Sequence, residues 1–216
     1  MRIVKEAEER RNEILDAANE LFAKKGFDGT STNDILDKVG IARGTLYYHF
    51  SSKEDILDAL IERYNKRLLS AAKIIAEDKS IPVNERMVRV ITSLNISDDS
   101  HNEIMEQIHK PQNALMHQKI QKVMLNGVTP ILAEIIREGI REGLYNTPYP
   151  YESMEMVMAY GNTVFDENMV EITEAEKMVR IQAFVFNIER LLGVESGGLI
   201  KYVMQVFGSE NEESNG

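Results

Sequence analysis

Residues 30–53 read TSTNDILDKVGIARGTLYYHFSSK. Ser31 and Asp34 have the spacing of a capping box, in which each side chain bonds the other residue's backbone N–H and so opens a helix. That helix should close near Val39 and Gly40, because glycine tolerates the positive φ of a tight turn. A second short helix covers 42–49, and Ser51 or Ser52 ahead of Glu54 and Asp55 caps a third. Ile35, Val39, Ile41 and Leu46 are the apolar pegs that hold the first two helices at a fixed angle. Two short helices about a glycine turn make a helix-turn-helix, and the second carries Arg43, Thr45, Tyr47, Tyr48 and His49. Such a helix can lie in a DNA major groove.

Outside this stretch nearly every segment has helical period, and almost nothing alternates as a strand would. A first helix is predicted over 6–25, with Ile14, Ala17, Ala18, Leu21 and Phe22 as its apolar stripe and Gly26 as its stop. The helix capped at 51–52 is long and turns Ile56, Leu57, Leu60, Ile61 and Tyr64 inward. Pro82, Pro111 and Pro130 each mark a helix start or kink. Helices follow over 131–142, stopped by Gly143 and the turn NTPYP, then over 151–165. Another opens at a second capping box, Thr173 with Glu176, and runs to about Leu192. A last short helix, 198–207, precedes a polar tail expected to be disordered. The expected fold is all-α with nine or ten helices and no internal repeat. It divides into a head at 1–52, a body at 53–208 and a tail at 209–216.

Composition suits a globular intracellular chain: of 216 residues, 43% are hydrophobic and 28% charged. No apolar run approaches the roughly 18 residues that span a bilayer, and MRIVKEAEERR lacks the apolar core of a secretory signal. A cytoplasmic location is expected. Absence of cysteine excludes disulfides and thiolate chemistry. The net charge of −10 is unevenly spread. Residues 1–53 hold 9 Lys/Arg and 9 Asp/Glu; 25 less 9 leaves 16 basic residues beyond them, and 35 less 9 leaves 26 acidic. A neutral head can bind phosphate only if its basic groups face one way.

GFDGTSTNDIL, VGIARGTLYYHF and SSKEDIL together resemble the N-terminal domain of the tetracycline-repressor (TetR) family of bacterial regulators, over roughly residues 8–65. GTLYYHF followed by SSKE is the most diagnostic part. The resemblance implies an all-α homodimer, with a DNA-binding head, a long linking fourth helix and a body that binds a small effector. It places Ser31, Thr32 and Asn33 at the start of the bracing helix, where hydroxyls and N–H groups meet phosphate. It makes Arg43 the base reader, its fork suited to guanine O6 and N7. Gly44 allows close approach, and Thr45, Tyr47, Tyr48 and His49 touch phosphates or base edges. Lys53 closes a clamp on the backbone. Tyr47 and Tyr48 lie about 100° apart on their helix, so one is expected partly in the core, Tyr47 more than Tyr48. Leu36 departs from the family pattern, which has a small residue where the two helices cross.

The body is sparsely labelled. Met105, Met116, Met124, Met154, Met156, Met158, Met169 and Met178 concentrate there, and flexible thioethers suit an adaptable pocket. Met105, Met124, Tyr145, Tyr160, Asn162 and Phe165 are the candidate effector lining. The helices over 151–165 and 173–192 are the candidate dimer bundle, through Ala159, Gly161, Val164, Phe165, Phe184, Val185, Ile188 and Leu192. His101, His109 and His117, with Glu103 and Glu106 nearby, drift around a helix and are interrupted by Pro111. No metal site, cofactor or catalytic motif is expected. The function expected is a sequence-specific regulator, a ligand-released repressor on a pseudo-palindromic operator. The alternative is a ligand-responsive helical protein acting mainly through a protein partner.

Overall fold

The computed structural model describes residues 2–94, 113–165 and 173–203. Among them are eight α-helices of seven residues or more and no strand: α1 (Arg2–Lys25), α2 (Thr32–Val39), α3 (Arg43–His49), α4 (Lys53–Glu77), α5 (Val83–Ser93), α6 (Ala114–Arg141), α7 (Pro150–Val164) and α8 (Glu174–Leu192). The expected helix beyond Gly198 is helical over 200–203; its remainder and the tail lie outside the described residues, as do Pro111, Met105 and Met169.

The helix ends follow local chemistry. Ser31 accepts from the Asp34 N–H while the Asp34 carboxylate reaches back to the Ser31 N–H, and Thr173 and Glu176 do the same for α8. Ser52 accepts from the Asp55 N–H at 3.1 Å, so it is Ser52 that caps α4. Gly40 and Gly193 end α2 and α8 in the left-handed conformation. Pro150 opens α7 at a position where a missing N–H costs nothing.

Two expectations need correction. The first helix starts at Arg2 rather than Glu6. The helix expected to begin after Pro130 is instead the second half of α6, a 28-residue helix with Pro130 inside it. A mid-helix proline removes one N–H and crowds one carbonyl, a cost of about 3 kcal/mol. Burial on both sides of it offsets that cost, since Val128, Leu132, Ala133 and Ile136 are fully buried.

The chain divides into two compact units, Met1–Arg67 with Ser97–Gln121, and Leu68–Ile96 with Lys122–Gly216. In the first, Ile14, Leu15, Ala18 and Phe22 of α1 are buried, as are Ile35, Leu46, Phe50, Ile56 and Leu57. Each large side chain so buried contributes about 1.5–3 kcal/mol. In the second, Val83, Met87, Met154, Val157 and Leu192 are buried. A buried ion pair crosses this unit. Arg86, 2% exposed, donates from Nη2 to Glu138 Oε1 at 2.6 Å and from Nη1 to Glu138 Oε2 at 3.0 Å, with further bonds to the Ala76 and Ile81 carbonyls.

Candidate nucleic-acid interface

The turn between α2 and α3 is closed by Gly40 at φ 72°, whose N–H and that of Ile41 both reach the Leu36 carbonyl. Ile35 and Leu46 are buried beneath the two helices, and Leu36 fits the edge of the core at 9% exposure. Phe50 is buried at the end of α3. With Leu46 and Phe50 turned inward, α3 presents Arg43, Gly44, Tyr47 and Tyr48 to solvent, while Thr45 and His49 are half-buried. Tyr47 is 48% exposed and Tyr48 79%, so neither ring is in the core.

Arg43 Nη2 donates to Asn33 Oδ1 at 3.2 Å. The arginine that opens α3 is therefore tied to the first turn of α2, and Ser31, Thr32, Asn33 and Arg43 come together as one polar edge. Ser31 is more occupied than its place in the motif suggests, for its hydroxyl also donates to Asp34 Oδ2 at 2.5 Å. Lys25 Nζ sits 2.6 Å from the other Asp34 oxygen, and this bond, with the two from Ser31, holds the Asp34 carboxyl well below the usual carboxylate range.

Lys53 is the first residue of α4, and its ammonium points into the head. It donates to the Phe27 and Thr30 carbonyls at 2.7 and 2.9 Å and lies over the Phe27 ring. An ammonium has three N–H groups, so one remains for another acceptor. The His49 ring meets that of Tyr48 edge-on. Partial burial and then the nearby Arg11 and Arg10 lower its pKa from the ordinary 6.5, leaving it mainly neutral at pH 7.

Part of the head's charge is matched within the first unit. Four ion pairs form there: Arg10 with Glu13, Lys38 with Glu20, Lys25 with Asp34 and Arg63 with Asp16. Exposed pairs of this kind add little stability, but they consume charge. Among the described residues Arg43 and Arg11 meet no carboxylate; Arg11 stacks on Phe50 with 5.0 Å between guanidinium carbon and ring centroid. Sequence reasoning did not single out Arg11 or Lys25. The Arg10–Arg11 pair is visible in the chain, but only folding brings it to the end of α3.

In the second unit the candidate effector residues do not form one cluster. Tyr145 is buried against Gly139, its hydroxyl donating to Asn84 Oδ1 at 2.5 Å. Tyr160 and Phe165 instead join Phe184 in a trio of rings between α7 and α8, with Tyr160 stacked on Phe184 at 5.2 Å. Met124 is buried, Asn162 half-buried and Met105 outside the described residues. Of the candidate dimer residues, Val185, Ile188 and Leu192 are buried within the chain's own body, Gly161, Val164 and Phe184 are half-buried, and Ala159 is exposed. The large exposed apolar side chains of α7 and α8 are Met156, Tyr160, Met178, Val179 and Phe186. Apolar residues thus lie on more than one side of α8, some buried and some exposed.

His117 lies on α6, whereas His101, His109, Glu103 and Glu106 fall outside the described residues. Among the described residues no group of three or more His, Asp or Glu is placed to hold a metal ion, and no helix is long and apolar enough to cross a membrane.

Residues 14–60 match the family described as bacterial regulatory proteins, tetR family, and residues 96–186 match the tetracyclin repressor-like C-terminal domain. The HTH-type transcriptional repressor KstR2 of Mycobacterium tuberculosis is 24% identical over 146 residues, covering 67% of this chain and 73% of the repressor. The fatty acid metabolism regulator protein of Bacillus subtilis is 31% identical over 134 residues, covering 61% of this chain and 68% of that protein. GusR of Salmonella enterica shares the fold with a TM-score of 0.57 at 20% identity, over 85% of this chain and 95% of its own.

Proposed function

The chain belongs to the TetR family and is a DNA-binding transcriptional regulator, and from that premise we propose that it is a cytoplasmic, dimeric repressor released from a pseudo-palindromic operator by a small molecule. The observation that carries this reading is the face of α3: Arg43, Gly44, Tyr47 and Tyr48 are exposed together above a buried Leu46. Arg43 reads a guanine edge with its fork, and the two tyrosines, Thr45 and His49 meet phosphates or base edges. The free N–H groups of the α2 first turn, with Thr32 and Asn33, receive a phosphate at the positive helix end. Lys53 offers its remaining N–H to the backbone.

Dimerisation is assigned to α7 and α8 through Met156, Tyr160, Val179 and Phe186, whose exposure in a single chain leaves apolar surface to be covered. A two-fold dimer suits an operator whose half-sites lie about one DNA turn apart. For the effector, the supporting observation is Thr129 on α6. It is fully buried, and its hydroxyl has no hydrogen-bond partner among the described residues; buried hydroxyls ordinarily have one. A polar atom of an otherwise apolar ligand would satisfy it. The ligand releases DNA by binding better to the dimer geometry that cannot span both half-sites.

The test begins with duplexes enriched by the wild-type protein from a random pool. Affinity for the enriched duplex should fall with salt at a log–log slope of about −0.9 per phosphate contacted. Arg43→Ala should lose preference for that duplex over random DNA while keeping salt-dependent binding to both. An Arg43→Ala protein that binds the enriched duplex as tightly as wild type would sink the base-reading role.

A further inference from the structure

Residues 26–30 join α1 to α2 and deliver the chain into the Ser31 cap. The polar groups of Gly26 and Thr30 and the Phe27 carbonyl are satisfied from nearby. The Thr30 N–H donates to the Phe27 carbonyl at 3.3 Å, and the Thr30 hydroxyl donates to the Gly26 carbonyl at 2.8 Å. Lys53 takes the Phe27 and Thr30 carbonyls. Gly29 lies so close to the Lys25 carbonyl oxygen that a Cβ would come within 2.4 Å of it, so the loop has little room to change shape.

The Phe27 N–H is the exception. Its acceptor is Asn113 Oδ1, 3.2 Å away and 86 residues later in the chain. Asn113 is 1% exposed and Phe27 5%, with the Phe27 ring edge-on against Phe22 at 5.3 Å. Water cannot replace a lost acceptor there without opening the loop, and an unpaired buried N–H is costly. The contact is anchored on the far side. Asn113 directly precedes α6, Met116 and Ile120 are buried in the following turns, and Lys119 pairs with Asp58 of α4. All of these residues belong to the first compact unit.

We propose that Asn113 is a positioning residue for DNA binding: by accepting the Phe27 N–H it fixes the α1–α2 loop, and with it the angle at which Ser31, Thr32 and Asn33 meet the phosphate backbone. The unit that binds DNA is then not the N-terminal segment alone, since it includes a side chain from the region matching the C-terminal domain. This inference rests on the reading of α2 and α3 as the DNA-contacting helices. Arg43 is held from Asn33, on the same first turn, so a tilted α2 also misplaces the base reader.

The experiment compares the full-length wild type, Asn113→Asp and Asn113→Leu on the enriched duplex, and follows hydrogen exchange at the Phe27 amide. Aspartate keeps an acceptor in the same place; leucine fills the volume without one. Asn113→Leu should lose about tenfold in affinity, the scale of one unmet buried donor, with faster exchange at Phe27. Asn113→Asp should recover most of the affinity and the protection, whereas a purely volumetric role would leave Asn113→Leu unimpaired. Should Asn113→Leu fail to fold, Asn113→Ser serves for the same two readouts. Faster exchange with unchanged DNA affinity would overturn the proposal, as would unchanged exchange. A wild-type protein that enriches no duplex would overturn the DNA-contact reading and this inference together; enrichment with an unaffected Asn113→Leu overturns this inference alone.

Discussion

Arg86 shows what one residue contributes when its environment is dry. Its guanidinium, beside Glu138, is the main reason that the Glu138 carboxyl titrates at about 2, with Lys79 adding a second bond at 2.5 Å. A carboxyl whose folded pKa is depressed adds stability above its unfolded value and loses it as pH falls through the folded one. The window therefore runs from about 4.5 down to about 2, and the shift is worth about 3 kcal/mol. Glu138→Gln should flatten this acid limb and lower stability at pH 7 by about 3 kcal/mol, because it leaves a buried guanidinium uncompensated. Denaturant unfolding of both proteins from pH 7 to pH 3 checks it; parallel pH curves would remove Glu138 from the account. Neither partner is conspicuous in the sequence, where Arg86 is one cation in an amphipathic helix. Arg43 differs. Its place at the head of α3 is legible, and only its bond to Asn33 is not.

At the scale of elements, most boundaries were legible because short-range chemistry sets them. The capping boxes at Ser31 and Thr173 and the stops at Gly26, Gly40, Gly143 and Gly193 act within four residues. Pro130 shows the limit of such rules. A proline reads as a boundary unless burial on both sides keeps the helix together, and burial is not local information. Gly40 gives the clearest test of a turn. A Cβ there would meet nothing within 4 Å, so any cost of replacing it is conformational. Gly40→Ala should destabilise the protein by about 1–2 kcal/mol, the penalty of the left-handed region, and Gly40→Asn by less. Equal midpoints for Gly40→Ala and wild type in chemical unfolding would show that the α2–α3 turn does not need this conformation.

For the whole molecule the decisive questions are charge and assembly. The net charge of −10 lies beyond residue 53, and among the described residues Arg43 and Arg11 beside the exposed face of α3 meet no carboxylate. Assembly turns on α7 and α8. Val179 is 65% exposed and Phe186 47%, on a helix that buries Val185, Ile188 and Leu192. Val179→Asp with Phe186→Ser should give a monomer in sedimentation at concentrations where wild type is a dimer, with an unchanged helical signal, because neither side chain supports the monomer core. A variant that remains dimeric would move the interface off this face. Ile188→Asp, by contrast, should unfold the second unit, since Ile188 is 5% exposed within it.

The sequence by itself determined most of the helices, their caps and the polar set carried by α3, because helical period, capping and turn chemistry operate between residues a few places apart. Tertiary structure alone decided which cations are left to act, where Lys53 points, which apolar face of α8 is open, and that Asn113 completes a loop 86 residues before it. Those outcomes depend on which groups meet across the fold, and a charge or an amide carries no mark in the sequence of the partner that will satisfy it.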